Sequence, residues 1–174
     1  MPLRRTSELP EDVRSQLSLG RRERMLAAAE LEDGAWAVGT DRRLLVLDAE
    51  AGVRVDRGWY EVDTASWDGE ERVLSIFFVT GDSTWLTLAE DSDVRLPTLL
   101  RERVESSVVA RHEVRVRGRG AARLVVRRIE GRLVLQTVLD RDTDPTDPQV
   151  AEALREGRAQ ISDMVGGLDD VPPA

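Results

Sequence analysis

The stretch GTDRRLLVLD (39–48) places two adjacent arginines, Arg42 and Arg43, between a turn of small residues and an apolar run. Two neighbouring guanidinium groups on a turn could hold an anion such as a lipid phosphate. They could also be solvated hairpin residues that pair with Asp41 or Asp48. We favour the hairpin, in which exposed pairs of this kind contribute little free energy.

A second set of arginines lies in residues 111–132, which hold eight arginines and two glutamates in a chain of formal charge −8. The arginines alternate with apolar residues, which is typical of a sheet that has one solvent-exposed face. The candidate anion-binding residues are Arg115, Arg117, Arg123 and Arg127. Single-stranded nucleic-acid binders stack bases on aromatic residues, and this segment has none. A solvated face or an acidic protein partner is therefore favoured over nucleic acid.

The residues that most often carry catalysis or bind metals form no recognisable pattern. The run DRDTDPTDPQVAE (140–152) begins like a calcium loop, but Pro145 and Ala151 stand where an EF-hand requires Gly and Glu. The single histidine, His112, has no catalytic neighbours in sequence, and no glycine-rich nucleotide loop occurs. We therefore expect no catalytic residue, metal or cofactor. A hydrolase that uses two carboxylates stays open as an alternative.

The composition restricts the class of protein. A length of 174 residues suits one domain, or one domain with an appendage, and the lack of cysteine excludes disulfides and thiolate catalysis. No apolar run approaches the roughly 20 residues that cross a bilayer, and MPLRRTSELPEDV lacks the apolar core of a signal peptide. The sequence predicts a cytoplasmic protein that is not inserted in a membrane.

Alternation of apolar and polar residues predicts strands between Gly34 and Ala89. It is clearest in GAWAVGT, RRLLVLD and ERVLSIFFV, with turns at Thr40-Asp41, AEAG and TGDS. Asp68-Gly69 is the strongest hairpin signal, since it suits a two-residue turn in which both residues take a positive φ. Six or seven short strands, about 10 residues apart, are typical of a sandwich or small barrel.

A helical period predicts three helices. LPEDVRSQLSLG should form a short one, with Pro10 at its first position. VRLPTLLRERVESSVV carries a longer apolar stripe that consists of Leu96, Leu99, Leu100, Val104 and Val108. After three more strands (HEVRVRG, AARLVVRRIE and RLVLQTVLD), the last helix should begin after Asp147 as N-cap. RRERMLAAAEL also favours a helix by propensity.

Seven strands followed by one amphipathic helix resemble the pleckstrin-homology-like superfold in its bacterial, GRAM-related form. The resemblance covers roughly residues 20 to 108 and depends on GTDRRLLVLD, which is similar to the T-x-x-R-L strand of those families, on WYEV and on the final helix. The stretch is also similar to a family of uncharacterised actinobacterial proteins with a WYEVDTASWD-like centre. The resemblance implies that ERMLAAAEL is the first strand and LEDG the first hairpin loop.

The expected fold class is α+β, mainly β. It comprises an antiparallel PH-like barrel capped by a helix, with an appended extension of three strands and a helix. The expected boundaries are an N-terminal helix or arm over 1–20, the barrel with its capping helix over 21–109, the extension packed on it over 110–168, and a loose tail over 169–174.

The resemblance also bears on Arg42 and Arg43. Eukaryotic pleckstrin-homology domains bind phosphoinositides through basic residues of the first two strands and their connecting loop. Here that loop (30–34) is acidic, and the two arginines lie one strand later. The hairpin interpretation is therefore preferred to lipid-phosphate binding.

The aromatic residues indicate a different kind of function. Phe77 should lie on the face opposite Ile76 and Phe78, and Trp67 and Trp85 also need a cover. The C-terminal extension or a second copy of the chain would provide it. We expect a non-catalytic protein-interaction, adaptor or regulatory domain that forms homo-oligomers through Phe77, Trp67 and Trp85. The alternatives are a basic-face binder of nucleic acid or anionic lipid, and the two-carboxylate hydrolase.

Overall fold

The computed structural model describes residues 9–129, 131–166 and 168. The tail predicted over 169–174 and the first eight residues of the predicted N-terminal arm lie outside these ranges. The elements, in chain order, are α1 (Glu11–Gln16), β1 (Met25–Glu30), β2 (Trp36–Thr40), β3 (Arg43–Asp48), β4 (Gly52–Gly58), a 3-10 turn (Trp59–Glu61), β5 (Val62–Asp68), β6 (Val73–Phe78), β7 (Ser83–Thr87), α2 (Arg95–Ser107), β8 (Val108–Val116), β9 (Gly120–Ile129), β10 (Arg132–Leu139) and α3 (Pro148–Val165).

The chain divides into two compact units. The first contains the chain up to Phe78 together with Asp82–Val104, and the second contains Val79–Gly81 and the chain from Glu105 onward. The first unit holds β1 to β7, and the second holds β8 to β10 and α3.

The strands of the first unit form two antiparallel sheets, ordered β1-β2-β3-β4 and β5-β6-β7. A single bridge between Leu31 and Leu88 joins the end of β1 to the chain that follows β7. The predicted closed barrel is wrong, because no ladder pairs β4 with β5 in the part of the chain that the structure describes. The 3-10 turn separates these two strands, and there the Trp59 side chain enters the core.

The main core of the first unit is formed by the inner sides of both sheets together with α2. The helix contributes Leu96, Leu100 and Val104 to it, as its apolar stripe predicts. Leu99 is partly buried against the same core, but Val108 belongs to β8 and not to the helix. The helix lies directly over β2, since a Cβ on Gly39 would stand only 2.6 Å from Leu99 Cδ2.

The other side of the first sheet is also covered. Val13 and Leu17, from α1 and its C-terminal cap, pack there against Leu45 and Leu47 of β3, while Leu44 and Val46 face the main core. β3 is therefore buried on both of its faces. Pro10 precedes α1 as its N-cap residue, one position earlier than predicted.

In the first strand, pairing with a neighbouring strand overrides the helix propensity of the local sequence. Residues 25–30 form β1 and pair with β2, so the structure has the first strand that the resemblance implies for ERMLAAAEL, against the helical propensity of RRERMLAAAEL. Ala27 and Ala29 face the main core, and Ala28 faces the cluster under α1. Small side chains on both faces let this strand lie between two packed layers.

The β5–β6 hairpin forms, but its turn differs from the prediction. Four residues separate Asp68 from Val73, and Gly69 does not take a positive φ. The Asp68 carboxylate accepts hydrogen bonds from the N–H groups of Glu70 and Glu71, and Arg72 takes the left-handed conformation with φ 54°. Asp68 therefore acts as a side-chain cap of a longer turn.

The second unit is an antiparallel sheet, ordered β10-β9-β8, with α3 packed on one face. Asp147 is the N-cap predicted from the sequence, and its carboxylate accepts hydrogen bonds from the N–H groups of Gln149 and Val150. Gly157 lets the helix approach the sheet closely, because a Cβ there would stand 2.7 Å from Val114 Cγ2 and 2.9 Å from Leu124 Cδ1.

Candidate functional site

The outer face of the β5-β6-β7 sheet carries two exposed aromatic rings. Directly opposed residues in antiparallel strands share a face, so the register places Thr64 beside Phe77 and Ser75 beside Trp85. Phe77 is 43% exposed and Trp85 is 61% exposed, whereas Ile76 and Phe78 on the other face are buried. The alternation predicted for β6 is confirmed.

Phe77 and Trp85 contact each other diagonally across β6 and β7. Their ring centroids are 6.3 Å apart and the rings meet edge to face at 81°. Such a pair is stabilised beyond its buried area, which holds both rings in a defined orientation on the strand surface. We call this pair and the surrounding positions the aromatic face. Its other members are Thr64, Ser66, Asp68, Val73, Ser75, Ser83 and Thr87.

The aromatic face carries little charge. Asp68, at one end, is its one ionisable residue among the positions that the register defines, in a chain of which 33% is charged. The Asp68 carboxylate already caps the turn that follows. The centre of the face therefore consists of two aromatic rings surrounded by hydroxyl groups and one valine.

Trp67 does not join the other two residues predicted for the interaction surface. It lies opposite Leu74 on the inner face of the sheet and packs, partly buried, against the main core. It also lines a groove of about 400 Å³ between β5 and α2. The helix side of this groove includes Pro97, Thr98 and Arg101.

Arg43 is held in place by several groups of the first unit. Its Nε lies 2.9 Å from Glu23 Oε1, and its second terminal nitrogen lies 3.1 Å from Glu23 Oε2. It also donates to Asp56 Oδ2 at 2.6 Å and to the Ser18 carbonyl at 2.7 Å. The predicted partners Asp41 and Asp48 are wrong, since these acids bind backbone N–H groups instead.

Glu23 is buried and fully engaged. It accepts hydrogen bonds from Arg43, from the Gly20 N–H at 2.7 Å and from Thr40 Oγ1 at 2.8 Å. Burial alone would raise the pKa of this carboxyl, but these hydrogen bonds outweigh burial and lower its pKa from 4.5 to about 2. Through its hydrogen bonds to Glu23, Arg43 connects the β2–β3 hairpin to the segment before β1. Sequence reasoning missed Glu23, whose partner lies 20 residues away.

The four candidate arginines of the basic segment do not lie on one open face. Arg115 and Arg117 are exposed, and Arg115 pairs with Glu113 at 2.8 Å. Arg123 is half-buried, and Arg127 is only 1% exposed. Arg127 donates to Gln136 Oε1 at 2.9 Å and to Ser107 Oγ at 2.6 Å. The prediction that Arg127 belongs to a solvent-exposed basic face is therefore wrong, because the Arg127 side chain is buried.

The remaining candidates have structural roles in the described residues. Asp144 caps the turn at Thr146, and Asp147 caps α3, as the turn-and-cap interpretation of 140–152 predicts. His112 is half-buried, and its ring lies near Gly157 of α3. Over the described ranges, no cluster of three or more acids, histidines or cysteines could hold a metal ion. No helix in these ranges is both long and apolar enough to cross a membrane.

Comparison of the chain with protein-family models, with curated proteins and with solved structures finds no match.

Proposed function

We propose that this chain is a non-catalytic protein-interaction domain that associates with a second copy of itself through the aromatic face. The observation that carries the proposal is the exposure of Phe77 and Trp85 at the centre of a surface with almost no charge. Interface cores are enriched in aromatic residues and depleted of charged ones.

The charge of the molecule favours a second copy as the partner. In a two-fold contact the same surface patch of both copies forms the interface. A patch of one charge sign would therefore meet a patch of the same sign. The chain has a net charge of −8, so two copies repel each other at long range. The aromatic face has one carboxylate at its edge and none near the two rings, and it can therefore meet itself without electrostatic repulsion.

The order of the elements is one argument for proposing a PH-like interaction domain, although over the described residues the two sheets of the first unit do not close into a barrel. Four strands, three strands and one amphipathic helix follow each other in the order that the resemblance implies. The alternative of a basic-face binder loses support because Arg127 is buried and Arg115 is paired with Glu113. The groove between β5 and α2 is lined by no carboxylate, so it lends no support to a hydrolase that uses two acids.

Sedimentation analysis of single variants tests the proposal. The wild-type chain should form dimers, and Phe77→Ala or Trp85→Ala should weaken dimerisation by roughly 30-fold, since buried aromatic residues at an interface centre contribute about 2 kcal/mol or more. Neither change should unfold the domain, because both rings lie outside the core.

Val53→Ala is the matched control. Val53 is an apolar residue of β4 that is 52% exposed, and its truncation should leave the dimer unchanged. A monomer in the wild type at concentrations up to about 100 μM, or equal dimerisation in all three variants, would overturn the proposal.

A further inference from the structure

The groove between β5 and α2 combines an apolar floor with a strand edge. Ala65, Trp67 and Leu74 line it from the sheet, and Leu100 lines it from the helix. Its volume of about 400 Å³ is in the range of ligand-binding pockets. It opens on the inner side of the sheet, and Ser66 of β5 is the one lining residue that it shares with the aromatic face.

One wall of the groove is β5, which is an edge strand. β5 pairs with β6 on one side, and within the described residues no strand pairs with its other side. Edge strands expose backbone N–H and C=O groups in a row, and natural proteins protect them with charges, proline or a covering segment. The central part of β5 (residues 64–67) has no charge and no proline. The edge is thus available to an added strand.

The helix wall of the groove carries one positive charge. Arg101 is exposed, lies one turn after Thr98, and has no ion-pair partner among the residues that the structure describes. The other side chains of the groove are uncharged. A ligand that lies along β5 would therefore meet a single guanidinium group at the helix, which complements a single carboxylate.

We infer that the groove binds an extended peptide segment of a partner protein. The peptide adds to β5 as a strand, inserts one apolar side chain between Trp67 and Leu100, and presents an acidic side chain to Arg101. Main-chain hydrogen bonds to the β5 edge supply affinity, and the groove supplies specificity. None of the residues that line this site is Phe77 or Trp85, and it shares only Ser66 with the aromatic face.

A phage-displayed library of random peptides of about twelve residues, selected on the full chain, provides the probe. Enriched peptides should share an apolar residue near an acid. A synthetic copy of one of them should protect from hydrogen exchange those alternate amides of residues 64–68 that point away from β6. Thr98→Phe, which fills the groove from an exposed helix position, should remove its binding.

A charge exchange at Arg101 gives a second, independent test. Arg101→Glu should weaken binding at least about tenfold, and replacing the acid of the peptide by arginine should restore binding to this variant only. Arg24→Glu is the matched control, because Arg24 is an exposed arginine of the same unit outside the groove, and it should bind like the wild type.

Three results would overturn the inference. The first is a library that yields no enriched peptide. The second is enriched peptides that bind Thr98→Phe and Arg101→Glu as well as the wild type, or that perturb the amides around Phe77 and Trp85 instead. The third is a change in oligomeric mass on Thr98→Phe or Arg101→Glu, which would assign the groove to a second copy of the chain.

Discussion

At the scale of single residues, Arg43 and the buried Glu23 form an ion pair that connects the β2–β3 hairpin to the segment before β1. Two hydrogen bonds join the guanidinium to the carboxylate, and Glu23 Oε1 also accepts from Thr40. Arg43 is thus engaged by protein groups, and its exposed neighbour Arg42 makes one long hydrogen bond to the Arg21 carbonyl at 3.4 Å. An anion at this turn would have to displace Glu23.

The lowered pKa of Glu23 predicts an acid-sensitive fold. A carboxyl whose pKa is lower in the folded than in the unfolded chain stabilises the fold fully above its ordinary pKa of 4.5. That stability is lost as the pH falls from 4.5 to about 2. The contribution is roughly 3 kcal/mol. Urea unfolding at pH 6 and pH 3 should show Glu23→Gln to be less stable than the wild type by about this amount at pH 6, and by much less at pH 3.

Asp56→Asn provides the control for this prediction. Asp56 also pairs with Arg43, but its side chain is half exposed, so its removal should lower the free energy of unfolding by no more than about 1 kcal/mol. If Glu23→Gln kept the pH dependence of the wild type between pH 5 and pH 3, the buried ion pair would not be the cause of the acid sensitivity.

At the scale of elements, a sequence pattern predicts the structure correctly where the outcome depends on local spacing alone. The cap at Asp147, the stripe of α2 and the alternation in β6 depend on local spacing, and the structure has all three. The Asp68-Gly69 turn is not the predicted one, and the helical propensity of residues 21–31 is overridden, because each outcome depends on partners elsewhere in the chain. Arg72 donates to the carbonyls of Ala89 and Ser92, and β1 gains its hydrogen bonds from β2.

The contact of α3 with its sheet predicts an unusual response to a helix-favouring substitution. Gly157→Ala raises helix propensity by about 1 kcal/mol, but the new methyl group would press on Val114 and Leu124. Overpacking a tight core costs about 1–3 kcal/mol, so the net effect should be a loss of roughly 1 kcal/mol in urea unfolding. Glu156→Ala, at the exposed neighbouring position, should change stability by less than about 0.5 kcal/mol. A more stable Gly157→Ala variant would show that the helix does not press on the sheet.

At the scale of the whole molecule, net charge bears on the self-association that we propose. Two copies of a chain of charge −8 repel each other at long range, and salt screens this repulsion. If the aromatic face, with Asp68 as its one charge, is the contact, raising the salt concentration from low to physiological should tighten the dimer a few-fold in sedimentation experiments. Weakening of the dimer by salt would point instead to a contact made by opposite charges, such as the arginines of residues 111–132.

The candidate surface could be predicted from the sequence only in part. Alternation was enough to separate Phe77 from Ile76 and Phe78, because a strand has a period of two. The contact between the Phe77 and Trp85 rings depends on the register of three strands, and so does the separation of Trp67 from both. No local pattern specifies this register. The groove was also unpredictable, since it is formed by β5 and α2, elements about 30 residues apart.

The two sheets of the first unit differ in how many of their sides are covered, and this difference should be visible in a complete substitution scan. In β3 both sides are covered, so a polar residue should be rejected at each of positions 44 to 47. In β6 the tolerance should alternate, with positions 74, 76 and 78 intolerant in any assay of folding. Position 77 should tolerate polar residues in a folding assay and reject them only in an assay of partner binding. Tolerance in the folding assay should therefore alternate along β6 with a period of two residues.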